Sequence, residues 1–275
     1  MKIIAICLSF LAFAASAVAA PLILDDDHAA VYRQHILDRG ELGDAAQKFH
    51  VAERFDHGDA YFDRSKSKAA DWYRRAATSP VRNDADFVIV LRARAALRRL
   101  DRAVPAHKSD AFERRAERYA GAAGWQVFLD DFSRSPEADF RAGQYADAYQ
   151  RSRQRMAYVD AASELGMPDA ERAAEFGNHA WFSLFAYEYE ESLETALDGL
   201  ALDATQLWIW TNVAHALLLQ GNVDEARFTY KAYLGEPIGD DKAAWGVIIA
   251  QDFAMMKAAG LPGAHMSDIL DELQL

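Results

Sequence analysis

Apolar residues recur at three- and four-residue spacing along most of the chain, and no stretch shows the sustained alternation of a half-buried strand. Proline and glycine stand mainly where helices would begin or end. These positions are Pro80, Pro105, Pro136, Pro168, Gly221, Pro237 and Pro262. The pattern predicts an all-α protein.

The first residues follow a different pattern, that of an export signal. Lys2 precedes an apolar stretch over residues 3–13, and small residues follow over 14–20. The small-x-small order at Ala17-Val18-Ala19 predicts a signal peptide over 1–19, cleaved after Ala19. The alternative is an uncleaved anchor, but its apolar core is short against the roughly 20 residues of a spanning helix. We expect a periplasmic or secreted protein with no transmembrane span after cleavage.

Composition narrows the possible chemistry. The chain is 51% hydrophobic and 12% aromatic, which is typical of a folded protein rather than a disordered one. Its one cysteine, Cys7, lies inside the predicted signal peptide. The mature chain would therefore carry no disulfide, no cysteine nucleophile and no thiolate metal site.

An internal repeat is the most informative feature. The segment 178–181 aligns with 212–215 at an offset of 34 residues, with asparagine first in both. The same offset pairs Leu184 with Leu218, Phe185 with Leu219, Tyr189 with Val223, Ser192 with Ala226 and Ala196 with Tyr230. A period of 34 is that of a helix-turn-helix repeat.

The second copy resembles the tetratricopeptide repeat. The positions that carry the resemblance are Trp210, Val213, Ala214, Leu217, Gly221, Ala226, Tyr230 and Pro237. Near the N-terminus, a second resemblance is to the Sel-like repeat. It rests on Phe55, Gly58, Lys68-Ala69, Trp72-Tyr73 and Arg75-Ala76-Ala77, and a further repeat-like turn lies at Gly143, Tyr145 and Ala148.

These resemblances imply a right-handed α-solenoid of antiparallel helix pairs. We expect an N-terminal helical region over 25–133 with the Sel-like repeat, and a tetratricopeptide-like region over 136–275. Residues 84–133 match no repeat. Helices at about 240–259 and 264–272 would form a C-terminal capping pair, because a solenoid must cover its last apolar face.

The tetratricopeptide resemblance also implies a concave groove lined by the first helix of each unit. The groove residues it implies are Asn178, Trp181, Phe185, Trp208, Asn212, His215 and Leu219. An amide can both donate to and accept from an extended backbone, so the predicted ligand is a peptide or an apolar helix. The alternative is that the asparagines bond to neighbouring helices and that the tryptophans pack between helices.

Charge is unevenly distributed along the chain. Residues 64–118 carry a net charge of +8, whereas residues 119–275 carry −15. One predicted helix holds Arg92, Arg94, Arg98, Arg99 and Arg102. This basic face would suit an acidic protein, lipid headgroup or wall polymer of the envelope, or it complements the acidic remainder of the same chain. Overall acidity and export argue against nucleic acid.

Catalytic signatures are weak. His50, Glu53 and His57 do not have the His-Glu-x-x-His spacing, and no phosphate-binding glycine loop or nucleophile elbow occurs. We therefore predict no catalytic residue, cofactor or metal, and a binding scaffold or adaptor as the function. The alternatives are an enzyme, or its accessory subunit, acting on an envelope polymer, and a purely structural subunit. A closed pocket joining distant carboxylates would favour the enzyme, and a broad apolar patch the structural subunit.

Overall fold

The computed structural model describes residues 26–238 and 243–275, and over this range the protein is all-α. The predicted signal peptide and its cleavage position lie outside the described residues. The first seven helices are α1 (Asp26–Leu42), α2 (Ala45–His57), α3 (Lys66–Ala77), α4 (Asp84–Arg99), α5 (Asp110–Arg118), α6 (Gly124–Phe132) and α7 (Glu137–Arg141). The other seven are α8 (Tyr145–Ser163), α9 (Asp169–Phe185), α10 (Tyr189–Leu202), α11 (Ile209–Leu219), α12 (Val223–Ala232), α13 (Trp245–Ala258) and α14 (Met266–Leu273).

Several helices begin at side-chain caps. The Asp44 carboxylate accepts from the backbone N–H of Gln47, and the Gln47 side chain accepts in return from the Asp44 N–H, which makes a capping box at the start of α2. Asn83 caps α4 by accepting from the Asp86 N–H at 2.8 Å. These caps satisfy backbone donors that a helix start leaves without intrahelical partners.

Helices pack mainly on their neighbours in sequence. Each of α1 to α4 contacts the next, and so does each of α8 to α12. Between these two runs the order skips, because α4 packs directly on α8. The intervening helices attach at the side of this junction, α5 on α4 and α6 and α7 on α8. Residues 84–133, which match no repeat, therefore include both a stacked helix and two helices outside the stack.

The core is divided among several clusters. Phe87, Phe128 and Val159 are completely buried at the junction of α4, α6 and α8. Toward the C-terminus, Trp245 and Phe253 of α13 pack with α11, α12 and α14. The chain therefore buries a large apolar area without any covalent cross-link.

The 34-residue offset is visible in the helix boundaries. Helix α9 ends at Phe185 and α11 at Leu219, while α10 begins at Tyr189 and α12 at Val223, 34 residues apart in each case. The turn inside each pair holds a residue with positive φ at the same position, Tyr187 with φ 65° and Gly221 with φ 86°. The two helix pairs are therefore local structural copies, although only the second has glycine where this conformation favours it.

The predicted C-terminal helices correspond to α13 and α14. Helix α13 begins at Trp245 rather than near 240, because residues just before it form a short antiparallel pair. In that pair β1 (Pro237–Ile238) lies against β2 (Ala243–Ala244), with Pro237 opposite Ala244. No helix within 26–238 or 243–275 is long and apolar enough to cross a bilayer.

Candidate functional site

The residues predicted to line one peptide groove do not share one open surface. Phe185, Asn212 and His215 are buried. Asn212 donates from Nδ2 to the backbone oxygen of Gly177 at 2.8 Å, which ties α11 to α9. The His215 ring lies 2.8 Å from the Tyr230 hydroxyl and 3.1 Å from an Asp252 carboxylate oxygen. The expected groove face is thus partly an inter-helix contact, since helix stacking covers it.

The other four residues are partly exposed, and they separate into two groups. Trp181 stacks edge-on with Phe185 at 4.8 Å between ring centroids, and Leu219 packs beside the C-terminal core. Asn178 and Trp208 instead line a shallow cavity of about 520 Å³ between α9 and the region before α11. Only these two of the predicted groove residues meet at an open depression.

The predicted basic face is largely neutralised within the chain. Arg92 pairs with Glu53 at 3.2 Å, and Arg99 pairs with the buried Asp56. Arg94 pairs with Glu164 at 3.0 Å, and Glu164 is also bound by Arg98. Arg102 is exposed and has no side-chain partner in the described part of the chain. The interpretation that these arginines complement acidic residues of the same chain is thus the one that the ion pairs support.

The largest cavity lies where the two runs of stacked helices meet. It is an open cleft of about 760 Å³ with walls from α2, α3, α4, α8, α9 and α10. Four arginines face it, namely Arg92, Arg98, Arg99 and Arg172. Four carboxylates also face it, namely Glu53, Asp160, Asp169 and Asp198. Because both charges are present in a concave space, the cleft can bind a polar ligand by its side chains alone.

Two carboxylates in the cleft have no partner. Asp160 on α8 and Asp198 on α10 make no side-chain hydrogen bond or ion pair with any described residue. Both remain open to water, yet the surrounding walls remove part of their hydration. This desolvation raises the pKa of each carboxyl, and more distant arginines only partly oppose it. The negative charge of Asp198 also raises the pKa of Asp160.

An unused donor faces the same cleft. Arg172 on α9 pairs through Nη1 with Asp169 at 2.9 Å, but its buried Nε–H has no acceptor. A buried donor without a partner costs free energy that a ligand acceptor would recover. The cleft therefore combines two unpaired acceptors with one unpaired donor.

A buried polar network supports the wall of the cleft. Asp56 of α2 accepts from the Tyr73 hydroxyl at 3.1 Å and from the Arg99 guanidinium. Burial, reinforced by the negative charge of Asp56, strongly raises the pKa of Tyr73, so its hydroxyl stays a donor. The network joins α2, α3 and α4 and fixes Arg99 at the edge of the cleft.

A second buried network has the order of groups found in hydrolase triads. The His179 ring lies 3.0 Å from Ser152 Oγ and 3.1 Å from a Glu191 oxygen, which also accepts from the Tyr149 hydroxyl through its other oxygen. Ser152 is only 3% exposed, and His179 is equally buried. Since no substrate could reach this serine, the network is a contact between α8, α9 and α10.

The sequence gave no signal for the cleft residues. Asp160, Asp198 and Arg172 are ordinary helix-face charges until the stacking of α4 on α8 brings them together. Among the described residues, no group of three or more histidine and acidic side chains is placed to hold a metal ion. The most exposed large apolar side chains, Leu42 and Phe228, lie on helices at opposite ends of the chain.

Comparison with known proteins adds no further constraint. No protein-family model, no curated protein and no solved structure matches the chain significantly. The function must therefore be argued from the geometry of the cleft and its charges.

Proposed function

We propose that this protein is an exported binding scaffold that holds a peptide segment of a partner protein in the cleft between α4 and α10. The single observation that carries the proposal is the cleft itself. Its volume of about 760 Å³ lies within the usual range of ligand pockets, roughly 300–1,000 Å³. The groups facing it include charges without internal partners, which a ligand could satisfy.

The architecture in this proposal is a right-handed α-solenoid of tetratricopeptide-like and Sel-like helix pairs. The 34-residue spacing of the boundaries of α9 to α12 supports it, and so does the packing of successive helices on their neighbours. Stacked helix pairs create concave surfaces of the kind used to hold extended partners. The binding region moves, however, from the predicted asparagine face to the junction between the two runs of helices.

Export is the second part of the proposal, and we infer a periplasmic or secreted location from the N-terminal pattern alone. Expression of the full chain in a bacterial host, followed by fractionation and N-terminal sequencing, tests it. The expected result is recovery from the periplasm or medium with Ala20 as the first residue. Recovery in the cytoplasm with residues 1–19 intact would refute it.

Binding is tested with a variant that fills the cleft. Ala201 lines the cleft on α10, whereas Ala254 is exposed on α13 and lines none of the cavities described above. The immobilised wild-type protein, Ala201→Trp and the control Ala254→Trp are compared for retention of proteins from envelope extracts. One identified protein retained by the wild type and by Ala254→Trp, but lost by Ala201→Trp, is expected. Equal retention by all three, or by none, would contradict the proposal.

A specific observation also favours a second function, an enzyme acting on an envelope polymer. The raised pKa of Asp160 and Asp198 means that each carboxyl holds its proton to a higher pH than usual, as a general acid must. Against this, the cleft is open rather than closed. Turnover of a purified envelope polymer by the wild type, lost in Asp160→Asn, would establish this function in place of the first, and no turnover would dismiss it.

A further inference from the structure

We propose that the cleft selects a positively charged segment, whose lysine or arginine side chain pairs with Asp160 and Asp198. This inference rests on the proposed function, since it names the chemistry of the ligand held in the same cleft. Its starting point is which of the charged groups facing the cleft are already paired inside the protein.

The positive charges of the cleft are already used. Arg92 pairs with Glu53, Arg98 with Glu164, Arg99 with Asp56 and Arg172 with Asp169. An acidic ligand would have to displace or share these internal carboxylates, and it would gain little from arginines that are already neutralised.

The negative charges without a partner are those of Asp160 and Asp198. Removing six of the eight cleft charges into internal pairs leaves these two carboxylates exposed to the cleft and to each other. A cationic side chain placed between α8 and α10 would form charge-assisted hydrogen bonds with them. It would also relieve the repulsion and the lost hydration that now raise their pKa values.

The rest of the cleft suits such a side chain on a peptide backbone. Phe176 and Leu202, both partly buried, face the same space and can pack against the aliphatic stem of a lysine or arginine. The unpartnered Nε–H of Arg172 is available to a backbone carbonyl oxygen. The net charge of −12 further attracts a cationic segment.

The test uses three capped peptides of equal length that differ only at two central residues, which are lysine, glutamate or glutamine. Binding to the purified protein is measured by isothermal titration calorimetry. The lysine peptide is expected to bind the wild type about ten-fold or more tightly than the glutamine peptide. Asp160→Asn/Asp198→Asn should remove this preference, and Ala201→Trp should remove binding.

The matched control removes the same amount of charge outside the cleft. Glu190 and Glu194 are exposed on α10, have no side-chain partner among the described residues and do not line the cleft. Glu190→Gln/Glu194→Gln should keep the preference for lysine, whereas its loss would mean that overall charge alone attracts the peptide and would overturn the inference. Circular dichroism of every variant verifies that it is folded, and the near-isosteric substitutions at Asp160 and Asp198 are chosen for this reason.

The outcomes separate the two proposals. If the glutamate or glutamine peptide binds as well as the lysine peptide, and Ala201→Trp abolishes that binding, the cleft is a binding site but the selection of cations is refuted. Lysine-peptide binding that survives Ala201→Trp places the site elsewhere and also refutes the inference. If no peptide binds, the inference fails, and the envelope capture experiment judges the proposed function independently.

Discussion

Replacement of Asn212 by alanine measures whether this residue is a structural contact rather than a ligand group. Its side chain is 1% exposed and donates to the Gly177 oxygen at 2.8 Å. Loss of a buried hydrogen bond costs roughly 1–3 kcal/mol when the partner is left unsatisfied. The Gly177 carbonyl lies within α9 and keeps its intrahelical bond, so the lower half of that range applies.

The equivalent asparagine in the preceding unit provides the matched control. Asn178 lies 34 residues earlier, is only partly buried and has no side-chain partner among the described residues. Both substitutions gain up to about 0.7 kcal/mol in helix propensity, and this gain cancels in the comparison. We expect Asn212→Ala to lower the free energy of unfolding by roughly 1–2 kcal/mol relative to Asn178→Ala.

Urea denaturation followed by circular dichroism gives this difference, with the midpoint and slope fitted separately for each variant. In thermal unfolding, the same difference corresponds to a shift of roughly 2–8 °C for a chain of this size. Equal stabilities of the two variants would refute the reasoning. A greater loss in Asn178→Ala would show that the internal contact has been assigned to the wrong unit.

Three further changes test other parts of the structure. Burial lowers the pKa of His179 below its usual 6.5, so the unfolded chain takes up the proton first and stability should fall as the pH drops below about 6.5; melting temperatures at pH 7.5 and 5.5 should differ less in His179→Gln. Tyr187→Gly should raise the free energy of unfolding by roughly 0.5–1 kcal/mol in urea titrations, because a left-handed backbone strains a tyrosine, and a loss of stability would contradict this. Asp160→Asn/Asp198→Asn should increase thermal stability at neutral pH, because it removes two unpaired charges from the cleft, and a lower melting temperature would mean that internal partners had been missed.

Local features could be predicted from the sequence because they depend on residues close together in the chain. The all-α class follows from apolar spacing, and the predicted C-terminal helices at about 240–259 and 264–272 correspond to α13 and α14. The 34-residue offset anticipates where α9 to α12 begin or end. Here periodicity, proline and glycine act within single helices and turns, and tertiary packing does not overrule them.

The cleft could not be predicted in the same way. It depends on α4 packing on α8 across an intervening stretch that attaches at the side. No local pattern reports that Arg99 lies near Asp160, or that Glu164 binds two arginines of α4. The burial of Asn212 and His215 was also hidden, because a repeat pattern places residues on a helix face without stating how closely the next helix covers it.

The pairing of Glu164 with Arg94 and Arg98 has a consequence for how ionic strength should act on this protein. The Glu164 side chain is 2% exposed and Arg94 17%, so dissolved ions screen their attraction weakly. Asp160 and Asp198 face water, and a cation bound to them would be screened strongly. Added salt should therefore release a charged ligand while the contact between α4 and the end of α8 persists. The protein could thus lose its ligand and keep the shape needed to bind the next one.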